Sequence, residues 1–161
     1  MAETAKSLWF IYLFLTILCF FCYRFSGMTN FDAVTHAFTT IAIGGFSNYD
    51  NSFAYFSNNL IYLFASVFMF LSAISFSLHF VAFNKIDITG YFKDKELRFY
   101  ATIIFVSFIL IFIVLQSTNA NGNFDTLILS VFQTISFATT TGFVSTDQSS
   151  LPLFILSLIH I

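Results

Sequence analysis

Two short stretches, each set between apolar segments, combine glycine with polar side chains in the way that an ion-coordinating loop requires. The first is Ala42-Ile43-Gly44-Gly45-Phe46-Ser47-Asn48-Tyr49-Asp50. Glycines let a backbone turn its carbonyl oxygens to positions that a Cβ atom would block, and a carbonyl-lined constriction is how cation filters replace an ion's water shell. This stretch therefore predicts a filter for a cation.

The second stretch repeats the first further along the chain. It reads Thr139-Thr140-Thr141-Gly142-Phe143-Val144-Ser145-Thr146-Asp147. In both copies a Gly-Phe pair precedes an aspartate at the same offset, and Gly45 and Gly142 stand 97 positions apart (142 − 45). Superposing the pairs aligns Ile43 with Thr140, and isoleucine offers no side-chain oxygen. The ion ligands are therefore expected to be mostly backbone carbonyls. The threonines of the second copy could add hydroxyl ligands, or could simply bond their own backbone.

The composition is that of a membrane protein. Of the 161 residues, 58% are hydrophobic and 9% are charged, whereas about 25% of the residues of a typical soluble domain are charged. The net charge of −2 gives no reason to expect nucleic acid as a partner. The expected fold is an all-α membrane protein, with repeated units of span, re-entrant pore helix, filter and span.

Three long apolar runs predict the membrane-spanning helices. They cover residues 7–23, 60–83 and 99–115, and a helix needs about 20 residues to cross the hydrocarbon core. The linker at 84–98 holds four of the six basic residues of the chain. By the positive-inside rule this linker faces the cytoplasm, and the two filter loops therefore open on the outside.

A shorter helix is predicted ahead of each filter. Asn30 is expected to cap the first one, which then has apolar side chains at helical spacing, at Phe31, Val34, Phe38 and Ile41. With about twelve residues it is too short to span the bilayer. It should re-enter and point its negative C-terminal end at the filter, where a dehydrated cation would sit. The segment Asn123-Phe124-Asp125 repeats Asn30-Phe31-Asp32, with four more residues before its glycine, about one helical turn.

Acidic side chains gather on the predicted outer side, where they would concentrate cations at the mouth of a pore. They are Asp32, Asp50, Asp125 and Asp147. For Asp32 and Asp125, a favourable position in the first helical turn is the preferred explanation. For Asp50 and Asp147, closing a turn explains the residue as well as lining a vestibule does.

Other chemistries find little support. Cys19 and Cys22 lie in an apolar run that disfavours a thiolate, so they are expected to pack as apolar side chains. His36 and His79 have no partner at metal-ligand spacing, which predicts structural histidines and no metal site. An intramembrane enzyme would need paired acids or a Ser-His pair at membrane depth, and the sequence shows neither. An aquaporin-like pore would need Asn-Pro-Ala turns, but Pro152 is the only proline. A tetrameric potassium channel would show Thr-Val-Gly-Tyr-Gly, which neither loop does.

Taken together, these residues resemble the membrane subunit of the bacterial Trk/Ktr potassium-uptake family. The most specific match is Ile41-Ala42-Ile43-Gly44-Gly45-Phe46-Ser47, joined by Leu78-His79-Phe80 and by Ala138-Thr139-Thr140-Thr141-Gly142-Phe143. The resemblance runs nearly end to end. It implies four span, pore-loop, span repeats in one chain around a single pore. This chain is interpreted as a fragment that holds the second repeat at 1–98 and most of the third at 99–161, truncated in its last span.

The resemblance also implies a site, a function and partners. Ile43, Gly44 and Gly45 would form one quarter of a potassium filter, and Thr140, Thr141 and Gly142 another. The transported ligand would be the potassium ion, with no cofactor, and the function would be potassium uptake across the cell inner (cytoplasmic) membrane. The resemblance further implies a multi-pass homodimer in the lipid bilayer. A cytosolic nucleotide-binding regulatory subunit would bind it, with help from the linker at 84–98. The alternative is a non-conducting structural or accessory subunit of a membrane complex.

Overall fold

The computed structural model describes residues 2–85, 89–118 and 123–145, and the regular structure in these ranges is helical. In chain order the helices are α1 (Ala2–Phe25), α2 (Asn30–Ile41), α3 (Asn59–Ala73), α4 (Phe76–Lys85), α5 (Thr89–Lys93), α6 (Lys95–Thr118) and α7 (Asn123–Ala138), with a 3-10 turn at Ser52–Tyr55. The prediction of an all-α membrane protein is confirmed, because Ala5–Phe25 and Lys95–Ser117 are each long and apolar enough to cross a bilayer.

Helix α1 has one buried face and one exposed apolar face. Ile11, Leu15, Cys19 and Tyr23, spaced four residues apart, are buried. Large apolar side chains cover the opposite face and stay exposed, among them Trp9, Phe10, Phe14 and Phe21. An apolar surface on both faces is what a helix between protein and lipid requires. Cys19 is a buried free cysteine, which confirms its predicted role in packing.

The predicted span at 60–83 consists of two helices and not one, because the chain turns by 90° between α3 and α4; together the two helices are long and apolar enough for one broken span. Ile74 ends α3 in an extended conformation, with ψ 140°. The imidazole of His79 lies across the break, where its Nε2 is 2.9 Å from the carbonyl oxygen of Leu71 and its Nδ1 is 2.7 Å from the hydroxyl of Tyr91. A carbonyl only accepts, so Nε2 is the protonated nitrogen and Nδ1 accepts from Tyr91. His79 thus supplies a donor to the carbonyl end of α3, and its predicted structural role is confirmed.

The two pore helices, α2 and α7, are too short to span the membrane, as predicted. They have 12 and 16 residues and end at Ile41 and Ala138, each four positions before its filter glycine. The predicted N-cap of α2 was wrong by one position. Thr29 is the cap, since its hydroxyl oxygen accepts a bond from the backbone N–H of Asp32 at 3.1 Å, and Asn30 is the first helical residue.

The buried face of α2 is made of small and polar side chains. Ala33, His36, Ala37 and Thr40 have no exposed surface, and α2 contacts α1 and α3. The apolar side chains at Phe31, Val34 and Phe38 are exposed, and only Ile41 of that set is buried. Small residues let helices approach closely in a membrane, where an apolar surface gains nothing from facing protein instead of lipid.

The loop after the first filter reaches into the second half of the chain. Phe53, in the 3-10 turn, is completely buried, with ring centroids 4.2 Å from Phe143, 5.3 Å from Phe132 and 5.3 Å from His36. His36 belongs to α2 and Phe132 to α7, so one aromatic side chain joins both pore helices. The core behind the two filters is therefore shared.

Candidate ion filter

The first filter segment (residues 43–45) and the second (residues 140–142) share an unusual backbone. Ile43 and Gly45 have φ angles of 53° and 68°, and Thr140 and Gly142 have φ angles of 60° and 83°. Positive φ is rare for residues with a Cβ and is a marked outlier for β-branched ones such as isoleucine and threonine. The two segments therefore adopt matching left-handed conformations at the first and third positions.

The amides of both segments are tied back to the ends of the pore helices. In the first, the N–H of Ile43 donates to Thr40 at 3.2 Å and that of Gly44 to Thr39 at 2.8 Å. In the second, the N–H of Thr140 donates to Phe137 at 3.0 Å and that of Gly142 to Ser136 at 3.2 Å. No hydrogen bond from the described residues reaches the carbonyl oxygens of 43–45 or 140–142. Among the described residues, each segment thus has two of its three amide donors bonded to its pore helix, and its carbonyl acceptors are available.

The two filter segments touch each other. A Cβ added at Gly45 would overlap the carbonyl oxygen of Thr141, whereas one added at Gly142 would meet nothing within 4 Å. The glycine at position 45 is therefore required twice, once for its positive φ and once for the close approach of Thr141. The structure brings all six predicted site residues into two adjacent loops.

Two threonine hydroxyls at the second filter are bonded to each other. The hydroxyls of Thr139 and Thr141 lie 2.7 Å apart, and both side chains are buried. The hydroxyl of Thr139 also donates to the backbone carbonyl of Ser136 at 3.5 Å. A ligand role for the threonine hydroxyls stays a prediction.

A network of hydrogen bonds holds the chain that leaves the first filter. Asp32 is buried, and its carboxylate accepts bonds from the Thr29 hydroxyl at 2.7 Å, the Asn48 amide at 3.1 Å and the Tyr49 hydroxyl at 3.0 Å. Burial favours the neutral acid, but these three bonds outweigh it and lower the pKa of Asp32 below its usual value. Partial desolvation and the bond to Asp32 raise the pKa of Tyr49 to about 12, so its hydroxyl remains a donor.

Gln133 holds the chain that leaves the second filter. Its side-chain oxygen accepts from the backbone N–H and the hydroxyl of Ser145, at 3.3 and 3.0 Å, and the Ser136 hydroxyl donates to the Phe143 carbonyl at 2.7 Å. Gln133 stands nine residues before Gly142, as His36 stands nine before Gly45. Sequence reasoning missed Gln133 and Ser136, although this shared offset from the glycine was a signal for Gln133.

Two bonds connect the loops of the two filters. The N–H of Ala54 donates to the carbonyl of Val144 at 3.0 Å, and the N–H of Val144 donates to the hydroxyl of Ser52 at 3.3 Å. Together with the ring of Phe53, these bonds fix the position of one filter relative to the other.

The remaining predicted acidic residues have separate surroundings. Asp125 is exposed and accepts a 2.6 Å bond from the Asn59 amide at the start of α3, and Asp50 is exposed in the turn after the first filter. Asp147 lies outside the described residues. Within the part of the chain that the structure describes, no group of three or more His, Cys, Asp or Glu side chains could hold a metal ion.

Comparison with known proteins shows close relatives. The chain matches the family model "TrkH: Cation transport protein" over residues 1–161. It is 43% identical over 157 residues to the Trk system potassium uptake protein TrkH of Vibrio parahaemolyticus, a match that covers 96% of this chain and 32% of the relative. It is 37% identical over 155 residues to the Trk system potassium uptake protein TrkH of Escherichia coli, with the same coverage of 96% and 32%.

The fold is also that of a solved relative. The crystal structure of the potassium transporter TrkH from Vibrio parahaemolyticus superposes with a TM-score of 0.91 at 42% sequence identity, covering 98% of this chain and 34% of that one. The chain thus spans about a third of the length of the relatives it matches. Its apolar helices agree with a multi-pass protein of the cell inner membrane. The chain belongs to the TrkH family of cation transport proteins.

Proposed function

We propose that the full-length protein takes up potassium across the inner membrane and that the two filter segments supply backbone carbonyl ligands to the ion. The proposed ligands are the carbonyls of Ile43, Gly44, Gly45, Thr140, Thr141 and Gly142. The observation that carries this proposal is the matching positive φ at Ile43 and Gly45 and at Thr140 and Gly142.

The physical argument starts from the cost of that conformation. A residue with a Cβ in the left-handed region costs on the order of 1–3 kcal/mol, and such strain concentrates at functional sites. A left-handed residue turns its carbonyl to the side opposite that of an extended one, so neighbouring carbonyls can converge on one line. Converging carbonyls replace the water shell of a cation without needing side-chain charge. The accepting oxygens of both segments remain available for this among the described residues.

The choice of potassium rests on the relatives, which carry the name of potassium uptake proteins. We infer that the other filter segments come from the rest of the full-length protein, because carbonyls at membrane depth are tolerated only where protein or a water-filled cavity surrounds them. The division into one pore repeat at 1–98 and a second at 99–161 belongs to the same proposal.

The partners are proposed on the same footing. We expect a homodimer that binds a cytosolic nucleotide-binding regulatory subunit, as the resemblance to the Trk/Ktr family implies; the relatives are named as proteins of a Trk system. In the linker at 84–98, the described basic side chains Lys93, Lys95 and Arg98 are exposed. These charges are available to an acidic surface on such a partner.

The test is potassium uptake by the full-length protein. Expression in cells that lack their own potassium uptake systems should restore growth at low external potassium, and a purified sample in liposomes should pass potassium in preference to sodium. If the full-length protein reaches the membrane but moves no potassium in either assay, the non-conducting accessory subunit is the better explanation.

A further inference from the structure

Three consecutive residues shortly after the first filter, Ser47, Asn48 and Tyr49, are each bonded to its pore helix α2. Ser47 is bonded to His36, whose Nε2 lies 3.0 Å from the serine hydroxyl oxygen. Asn48 and Tyr49 both donate to the carboxylate of Asp32, at 3.1 and 3.0 Å. The filter segment, in which Ile43 and Gly45 have positive φ, is thereby held at its exit by side chains of a single helix.

The direction of these bonds follows from their chemistry. The Nδ1 of His36 lies 2.8 Å from the backbone carbonyl oxygen of Asp32, which can only accept, so Nδ1 carries the proton. Nε2 then accepts from the hydroxyl of Ser47, whose oxygen in turn accepts the N–H of Tyr49 at 3.3 Å. The carboxylate of Asp32 therefore bonds the exit segment directly, and its backbone carbonyl is linked to Ser47 through His36.

The carboxylate of Asp32 is well suited to this task. Only 4% of the residue is exposed, and the three donors Thr29, Asn48 and Tyr49 fill most of its acceptor positions. It lies in the first turn of α2, where the helix favours negative charge. Arg24, the basic residue at the end of α1, bonds to Asn30 through its Nε at 2.7 Å.

We propose that Asp32 is a positioning residue for the first filter: by holding Asn48 and Tyr49, it sets where the carbonyls of residues 43–45 stand and so contributes to the choice among cations. This inference rests on the proposed function. The second filter is held differently, since its counterpart Asp125 is exposed and bonded to Asn59, while Gln133 holds Ser145. The first filter is therefore the one whose geometry depends on a buried charge.

The bonds matter because the segment they restrain is strained. The left-handed conformation is strained at Ile43, which has a Cβ, so loss of the restraining bonds should let its backbone relax and move the carbonyls of the segment. Hydrogen bonds to a charged group are stronger than those between neutral groups. Removing one of them is therefore expected to reduce discrimination between potassium and sodium by about 3- to 10-fold, within the range that one bond is worth.

The experiment compares three variants of the full-length protein at matched membrane levels. Asp32→Asn removes the charge, and Tyr49→Phe removes only the hydroxyl that donates to it and keeps the ring. Tyr91→Phe is the matched control, because it removes a tyrosine hydroxyl bonded to His79 at 2.7 Å, near the α3–α4 break and away from the filter. The measured quantity is the ratio of potassium to sodium uptake.

The expected result is a lowered ratio for Asp32→Asn and for Tyr49→Phe, an unchanged ratio for Tyr91→Phe, and a double variant no worse than Asp32→Asn alone. If Asp32→Asn fails to fold, the uptake ratio of Tyr49→Phe still tests the positioning role of Asp32. An unchanged ratio in Tyr49→Phe overturns the positioning role, as do additive losses in the double variant. A wild-type protein that moves no potassium would instead refute the proposed function itself, so the two failures are distinguishable.

Discussion

Ile43 and Thr140, 97 positions apart in the chain (140 − 43), hold their backbones in the same left-handed conformation, with φ of 53° and 60°. Their side chains have little in common beyond branching at Cβ, which disfavours this region in both. Two unlike residues with the same costly backbone indicate that the shape of the loop is what both positions serve.

Replacing Ile43 distinguishes a backbone role from a side-chain role. Ile43→Gly should retain uptake and ion preference, because glycine adopts positive φ without strain. Ile43→Pro should abolish uptake, since proline fixes φ near −65° and removes the N–H that donates to Thr40. The measurement is potassium uptake in cells deficient in their own systems. Loss of ion preference in Ile43→Gly would show that the side chain matters after all.

The glycines of the two filters should differ in their tolerance of alanine. Gly45→Ala introduces both strain and overlap with Thr141, while Gly142→Ala introduces strain alone. We therefore expect both variants to lose potassium preference over sodium, Gly45→Ala more severely. Uptake against external potassium, with and without competing sodium, measures both effects.

Gly27 provides the matched control for these variants. Its φ of 101° makes Gly27→Ala strained too, but nothing lies within 4 Å of the added Cβ, and the position is in the turn between α1 and α2. This variant should lower stability by about 1 kcal/mol and leave the ion preference unchanged. If Gly27→Ala shifted the ion preference as much as Gly142→Ala does, the loss of preference could not be attributed to the filter glycines.

Phe53→Ala should disturb both filters from outside them. Truncating a fully buried phenylalanine costs about 3–5 kcal/mol, and here the cavity would border His36, Phe132 and Phe143. Thermal unfolding of the full-length protein in detergent should show a clear loss. Phe46→Ala is the comparison, because its side chain is 76% exposed in this structure, and equal losses from the two variants would contradict the shared core.

Stability should respond to pH at Asp32 in a defined direction. Burial opposes ionisation of Asp32, but its three hydrogen bonds prevail and lower the pKa. The stability that it contributes is present above the unfolded value of about 3.9 and is lost as the pH falls through the lower folded value. The difference in unfolding temperature between wild type and Asp32→Asn should thus stay constant from about pH 7 to 5. A difference that shrinks within that range would mean that the pKa is not lowered.

The sides of the membrane can be tested with introduced cysteines. Asn58 donates to the carbonyl of Ser26 at 2.8 Å and Asn59 to Asp125 at 2.6 Å, which brings the end of α1 and the starts of α3 and α7 to one side. An impermeant thiol reagent applied to intact cells should label Asn51→Cys but not Lys93→Cys, with the wild type as background. Labelling of Lys93→Cys from outside would reverse the topology.

The repeat and its two short helices could be predicted because their signals are local. A helical period, an aspartate in the first turn and a Gly-Phe pair all lie within one helix and its loop. The break between α3 and α4 could not be predicted, because neither proline nor glycine marks it. The donor to the carbonyl end of α3 is His79, which is eight residues away from its acceptor Leu71. The partners of Asp32 and Phe53 likewise depend on how separate segments meet, which periodicity does not report.

The position of Phe53 also sets an order of events in time. A ribosome adds about 5–20 residues per second, so Phe132 emerges on the order of 4–16 seconds after Phe53, and Phe143 later still. During that interval the turn at Ser52–Tyr55 has none of its later aromatic neighbours from α7 and the second filter. The first filter is therefore synthesised early, but its packing is completed late. A chain whose synthesis stops between the two filters has the first filter loop in place without the packing of Phe132 and Phe143 against Phe53.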